Sequence, residues 1–408
     1  MFKKNYLFFL PVLIWILSLP AFLQSSGFAG EEATQTKETS GTVKSSTDQS
    51  FERYEQVRDQ AVLKALKWID SYLDREAYFK AMPYETYQVF HEFALTSANP
   101  EIKAYAEKAR EKYAKRLLQH YLDFGALNTG DFFNALDFYA DRQYLGELEL
   151  DPLLEKAKES WKGWAERKDS LGFDIDGLSW SANELYDLVH NSYIILKVNA
   201  SISEEYDTFT VYYPLEHAFE DLKKERLAGF KDDDTEEKDL AKTHMKRVFQ
   251  YLYTISGFSR NKVNYKDALW FYKYLHENFN ALMEDGDIAL IGEYVDAIRT
   301  IGYDEKTDKF VLKGSEFLLK SQKPDGSWGD FDEYAPPQQR VFTTWCAASG
   351  LKSRIFLPDT KLQDEVKQIL KKFEYDKPYD EFDYLYSSGE ITETTAPPDV
   401  ESSAPPSR

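Results

Sequence analysis

The sequence predicts an all-α fold in which an outer ring of helices surrounds an inner ring. Three observations lead there. Apolar residues recur at three- and four-residue spacings along most of the 408-residue chain. Alternating strand patterns are scarce, and 206–213 (YDTFTVYY) is the one serious strand candidate. Helices rich in Lys and Glu also alternate with helices poor in charge, at the spacing of helical hairpins.

The run 51–74 sets Val57, Val62, Leu63, Leu66 and Ile69 along one face. A second run, 84–97, carries few charges (YETYQVFHEFALTS). The next, 99–122, opens on Asn99-Pro100, a capping residue followed by Pro in the first turn, and 151–169 opens on Asp151-Pro152 in the same way. Further helical patterns cover 129–144, 181–198, 235–256, 265–283, 286–302, 305–321, 340–352 and 361–373. The stretches near 55–74, 100–122, 152–168 and 305–321 carry Lys and Glu on one face and are expected to face solvent. Those near 84–97, 286–302 and 340–352 are apolar on most sides and are expected to form the inner layer. The alternative is an open superhelix of helical hairpins, which would leave the inner helices more exposed.

A formal charge of −20 argues against nucleic acid and anionic membrane surfaces as partners. A mean hydropathy of −0.56 excludes a polytopic membrane protein. The N-terminus differs from the rest: Lys3 and Lys4 precede an apolar run from Tyr6 to Leu23, and small residues follow. This is the layout of a signal peptide over 1–29, with cleavage after Ala29 or, second, Ala21; an uncleaved membrane anchor is the alternative. Export to the periplasm or medium follows from the first reading. Cys346 is the only cysteine, so neither lipidation on a Cys after the run nor an intrachain disulfide is expected. Residues 30–50 read as a polar linker, 51–386 as the folded domain and 387–408 as a disordered Pro- and Ser-rich tail.

One stretch carries more than periodicity. In LKGSEFLLKSQKPDGSWGDF, Leu312 to Phe331, an amphipathic run ends at Gln322, stops at Pro324, turns through Asp325-Gly326 and reaches Trp328. It resembles the QW repeat of squalene and oxidosqualene cyclases, and the related repeats of the prenyltransferase-like α/α-toroid superfamily. The resemblance implies an α/α toroid, directly over this one repeat and by weaker helical rhythm over most of 51–375. It further implies that Gln322 ties its outer helix to the start of the next inner helix, and that Trp328 packs over the turn. The motif implies a fold and no chemistry by itself.

The chemistries of that superfamily require residues this chain lacks. Squalene cyclases use an Asp-x-Asp-Asp acid cluster. The nearest stretches are 173–177 (FDIDG), where Gly177 replaces the last Asp, and 231–235 (KDDDT), which begins with Lys231. Protein prenyltransferases hold zinc with Asp, Cys and a later His, but all six His residues precede Cys346 and Thr344 stands where the Asp would be. A thioester needs Gly-Cys-Gly-Glu-Gln, and Cys346 lies in TTWCAAS; disulfide-bonded cobalamin carriers need cysteines that are absent. No cofactor and no metal are expected.

The candidate site residues lie on helices expected to face a central cavity. Glu184, Asp187, His190 and Asn191 fall on one side of 181–198, where Asp187 could orient the His190 imidazole for acid–base work. The competing reading is a buried pair that satisfies itself. Glu293 and Asp296, three apart, form a possible acidic pair or a structural charge pair. Trp180, Trp345 and Tyr87 are candidates to line a pocket, or are plain core. His91-Glu92 and Glu216-His217 are adjacent and so point apart on a helix, which argues against a shared metal. Three functions fit: a cavity that binds or processes a hydrophobic, isoprenoid-like ligand; a glycan lyase, hydrolase or epimerase; and a non-catalytic binding or scaffold protein.

Overall fold

Helix starts are written in the side chains that begin them. Asn99 Oδ1 accepts from the backbone N–H of Glu101 and Ile102, at 2.9 and 3.2 Å, and Pro100 fills the first helical position. Asp287 caps the helix after it through Leu290 N, and Asp308 does so through Phe310 N and Val311 N. Asp151 instead lies within the first turn of its helix. The structure, a computed structural model, describes residues 46–125, 127–165, 194, 235–257, 259–263, 268–332 and 334–358.

Eleven α-helices lie among these residues: α1 Ser46–Leu73, α2 Glu76–Ala81, α3 Pro83–Thr96, α4 Pro100–Asp123, α5 Thr129–Ala140, α6 Asp151–Ala165, α7 Thr235–Ile255, α8 Leu269–Asp285, α9 Ile288–Ile301, α10 Lys309–Ser321 and α11 Pro337–Leu351. Among the described residues there is no strand, only an isolated bridge between Ser97 and Arg354. The all-α class therefore stands. No helix among them is long and apolar enough to cross a membrane. The first helix starts at Ser46, earlier than the patterned run at 51, and a short second helix follows it. The expected helices 181–198 and 361–373, the strand candidate 206–213, and the signal and tail segments lie outside the described residues.

The charge-poor stretches are the buried ones. Nearly every residue of α3 and α9, and every residue of α11 from Thr343 to Leu351, is buried. By contrast α10 buries Val311, Gly314, Ser315 and Leu318 on one face and leaves its lysines out. The inner helices also share a direction. Past the end of α11, Ser353 accepts from Ala98 N at 2.8 Å, Ile355 N donates to Thr96 O at 2.8 Å, and Leu357 N donates to Arg260 O at 2.7 Å. Val263 N meets Thr300 O at 2.9 Å. The C-terminal ends of α3, α7, α9 and α11 thus lie at one level. Tyr84 to Asp137 and Tyr87 to Asp141 bonds align α5 with α3. The more charged helices pack against these: α4 on α3, α8 and α10 on α9, and α1 on α11.

Closest approach comes where side chains are smallest. A Cβ on Gly292 of α9 would lie 2.5 Å from the Cys346 carbonyl of α11, and one on Gly350 would lie 2.7 Å from Gly292 O. Two backbones in contact are what the glycines permit. The first helix packs against the last. Arg58 of α1 reaches Glu305 at 3.2 Å and bonds Ser353, and Ser353 Oγ donates to Asp59 at 2.8 Å. One continuous apolar core runs from Ala61 of α1 to Leu351 of α11.

Candidate functional site

A cavity of about 40 Å³ lies between the inner helices, near their C-terminal ends. Glu92 reaches it from α3, Glu293 and Asp296 from α9, and Trp345 and Ser349 from α11. Phe342 and Cys346 of α11, Tyr253 of α7, and Ser259 and Arg260 of the following loop complete the wall. Three of the expected residues, Glu293, Asp296 and Trp345, therefore meet in one place. Helical spacing puts Glu293 and Asp296 on one face of α9, and Trp345 and Ser349 on one face of α11.

The two acids of the expected pair do different jobs. Asp296 accepts from Ser259 Oγ at 2.7 Å and is bonded by Arg354 Nη2. It is a structural counter-ion, 1% exposed. Glu293 is 5% exposed, and its buried Oε2 meets no hydrogen-bonding group. Burial pushes its carboxyl up to about 8, with Asp287 acting in the same direction and Lys246 opposing it. At neutral pH Glu293 is thus largely an uncharged acid facing the cavity.

Glu92 is its opposite. Burial would raise this carboxyl too, but the Lys352 ammonium outweighs it, aided by Arg354 and the Trp345 N–H, and holds it below the usual range. Trp345 Nε1 donates to Glu92 Oε2 at 2.6 Å, Ser349 Oγ donates to Oε1 at 3.0 Å, and Lys352 Nζ bonds Oε1. Trp345 is therefore anchored by its N–H, with its ring against the cavity. The Cys346 thiol is raised by burial, which leaves it unionised and a poor nucleophile. Basic groups at this end, Arg299, Lys352 and Arg354, stand where the inner helices present their C-terminal dipoles.

Tyr87, a candidate pocket residue, faces away from the cavity. Its hydroxyl donates to Asp141 at 3.0 Å and lies 3.0 Å from His91 Nδ1, between α3 and α5. His91 is fully buried there, and burial lowers it to about 3 despite Asp141, so it stays neutral. His91 and Glu92 do point apart, toward α5 and α11. Glu184, Asp187, His190, Asn191 and Trp180 lie outside the described residues. Among the described residues no group of three or more His, Cys, Asp or Glu side chains is placed to hold a metal ion.

Sequence reasoning weighed Glu92 only as a metal ligand beside His91, and passed over Tyr253, Arg260 and Ser349. One signal did exist for Glu92: it is a carboxylate in the middle of a charge-poor helix whose other acid, Glu85, lies in the first turn, a local inconsistency that marks a functional or paired residue. The loop residues carried no signal, because only chain folding brings 259–260 beside 345.

The turn after α10 lies apart from the cavity. Trp328 is 1% exposed, its Nε1 donates to Leu318 O at 2.7 Å, and its N–H donates to Thr344 Oγ1 at 3.2 Å. Gln322 Nε2 donates to Ala61 O of α1 at 2.8 Å and to Gly326 O at 3.0 Å. The tie thus runs to the first helix and to the turn itself, where the motif had implied the start of the next inner helix. Comparison of the chain with models of known protein families, with curated proteins and with solved structures found no match.

Proposed function

We propose that the chain is an exported α/α toroid of the squalene-cyclase-repeat kind, and that the cavity between its inner helices binds the end of a hydrophobic, isoprenoid-like ligand. The ring reading is supported by buried helices whose C-terminal ends lie together, by charged helices that pack against them, and by the packing of α1 on α11. The observation that carries the ligand reading is Glu293: an uncharged, unpartnered carboxyl beside the rings of Trp345, Phe342 and Tyr253. Pockets with a largely apolar wall and a few convergent polar groups are the usual form of a small-molecule site. The cavity, about 40 Å³, is smaller than the roughly 150 Å³ that takes benzene. It therefore holds an end group, while the rest of the ligand lies outside. Glu293 is the proton donor available for any processing step there.

Calorimetric titration of the full-length protein with farnesol tests this. Saturable binding is expected, and Phe342→Trp, which fills the cavity, abolishes it. A folded wild type that binds no farnesol removes the reading. Export predicts a mature N-terminus near Gly30; intact Met1 peptides in a membrane fraction would point to an anchor instead.

A second reading has its own observation. Glu92 is held ionised and Glu293 neutral in the wall of one cavity, and environments that push two carboxyls apart are how glycan-processing enzymes separate acid from base. Saturable binding of chitotriose but not farnesol would favour it.

A further inference from the structure

Two of the carboxylates in the cavity wall are matched by neighbouring donors. Trp345 and Ser349 donate to Glu92, which Lys352 also bonds. Ser259 and Arg354 hold Asp296. Glu293 departs from this pattern: its Oε2 is buried within the wall and meets no hydrogen-bonding group. A buried polar atom without a partner is costly, so a ligand that supplies the partner recovers that free energy on binding.

The chemistry of the missing partner follows from what Glu293 offers. An uncharged carboxyl has one O–H donor and one C=O acceptor. A hydroxyl both accepts and donates at a single oxygen, and so answers both. A hydrocarbon answers neither. A carboxylate or a fully ionised phosphate accepts but cannot donate, and so leaves the acceptor oxygen of Glu293 unmet. An ammonium donates only, and fits the ionised form that burial disfavours. Size agrees, since about 40 Å³ admits a group on the scale of a few water molecules or a hydroxymethyl.

Resting on the cavity reading above, we infer that the site recognises the terminal hydroxyl of an uncharged alcohol, with Glu293 donating to and accepting from the same oxygen. Such a hydroxyl comes from an isoprenoid alcohol or from the hydroxymethyl group of a sugar. The Trp345 and Phe342 rings would then contact the carbon that bears it.

The test uses matched pairs and the full-length protein. Farnesol is titrated against β-farnesene, and methyl β-glucoside against methyl β-xyloside, which lacks the hydroxymethyl. In one pair the hydroxyl-bearing member is expected to bind at least about tenfold more tightly, because a site built to bond a hydroxyl rejects the analogue without it. Which pair responds identifies the source. The preference should vanish in Glu293→Leu and persist in Glu293→Gln, whose amide still donates and accepts. If Glu293→Leu does not fold, Glu293→Met takes its place, and the matched pairs on wild type decide by themselves. Binding without a preference in either pair, or a preference kept by the apolar variant, overturns the inference and leaves the cavity reading standing. No binding of any of the four compounds overturns both.

Discussion

Glu293 ties the protein's stability to pH in a direction opposite to most carboxyls. Its folded-state value, about 8, lies above the ordinary 4.5, so the folded chain holds a proton that the unfolded chain has released. The stabilisation is fully present below about pH 4.5 and is lost as pH rises through 8. Glu293→Gln removes the titration while keeping shape. Denaturant unfolding of both proteins at pH 5, 7 and 9 should show wild type losing ground to the variant as pH rises. The change is of order a few kcal/mol, since each tenfold difference in proton affinity between the folded and unfolded chain is worth about 1.4 kcal/mol. Parallel stability–pH curves would mean that the carboxyl is solvated.

At the scale of elements, two contacts fix the inner layer. The first is the α9–α11 crossing. A Cβ on Gly292 would press on backbone atoms at Cys346, which cannot rotate away. Gly292→Ala should therefore cost about 1–3 kcal/mol and shift the two helices that carry Glu293 and Trp345. Gly314→Ala is the control: its Cβ would meet the Val295 side chain at 2.7 Å, and no backbone atom is among its near contacts. Equal melting temperatures for Gly292→Ala and wild type would contradict the close crossing. The second is the turn after α10. Trp328→Ala removes a fully buried ring and its bond to Leu318 O, and should cost about 3–5 kcal/mol in denaturant melts. Gly326 sits there at φ +101° with no room for a Cβ beside Lys64 O, so this turn accepts only glycine.

At the scale of the whole fold, buried ion pairs tie α1 to the chain after α9, and hydrogen bonds tie it to the chain after α11. Glu305 accepts from Tyr54 at 3.1 Å and pairs with Arg58 and Arg299, and Arg299 Nη1 donates to Lys352 O at 2.8 Å. Burial would raise the Glu305 carboxyl, but Arg299 and Arg58 outweigh it and hold it low. This stabilisation is present above the ordinary carboxylate range and is lost as pH falls through the lowered value. Glu305→Gln leaves Arg299 without its ion-pair partner and Arg58 with Asp59 alone, and should cost about 3–5 kcal/mol at pH 7. The difference from wild type should shrink in acid. Unfolding free energies at pH 7 and pH 4 check both, and a difference that does not shrink in acid would show that ionisation of Glu305 is not what stabilises the join.

Much of the architecture was legible in the chain. Periodicity and the scarcity of alternating patterns gave the all-α class. Charge density separated α3, α9 and α11 from the helices that face water, because a helix that stays uncharged on most sides has nowhere to go but inward. Asn99-Pro100 marked a helix start, since capping is a contact between residues two or three apart. The same locality placed Glu293 and Asp296 on one side of α9. What locality could not supply was the identity of their partners. Asp296 became a counter-ion because Arg354, 58 residues away, reaches it, and Glu293 stayed unpartnered because no cation does. Glu92 joined the cavity through Trp345, Ser349 and Lys352, at sequence separations of 253, 257 and 260. Gln322 reached α1 and not the next inner helix for the same reason. A sequence determines which faces are apolar and where helices begin, since those depend on neighbouring residues. Which charges are paired, and which one is left to meet a ligand, depends on groups that only the packed chain brings within bonding distance.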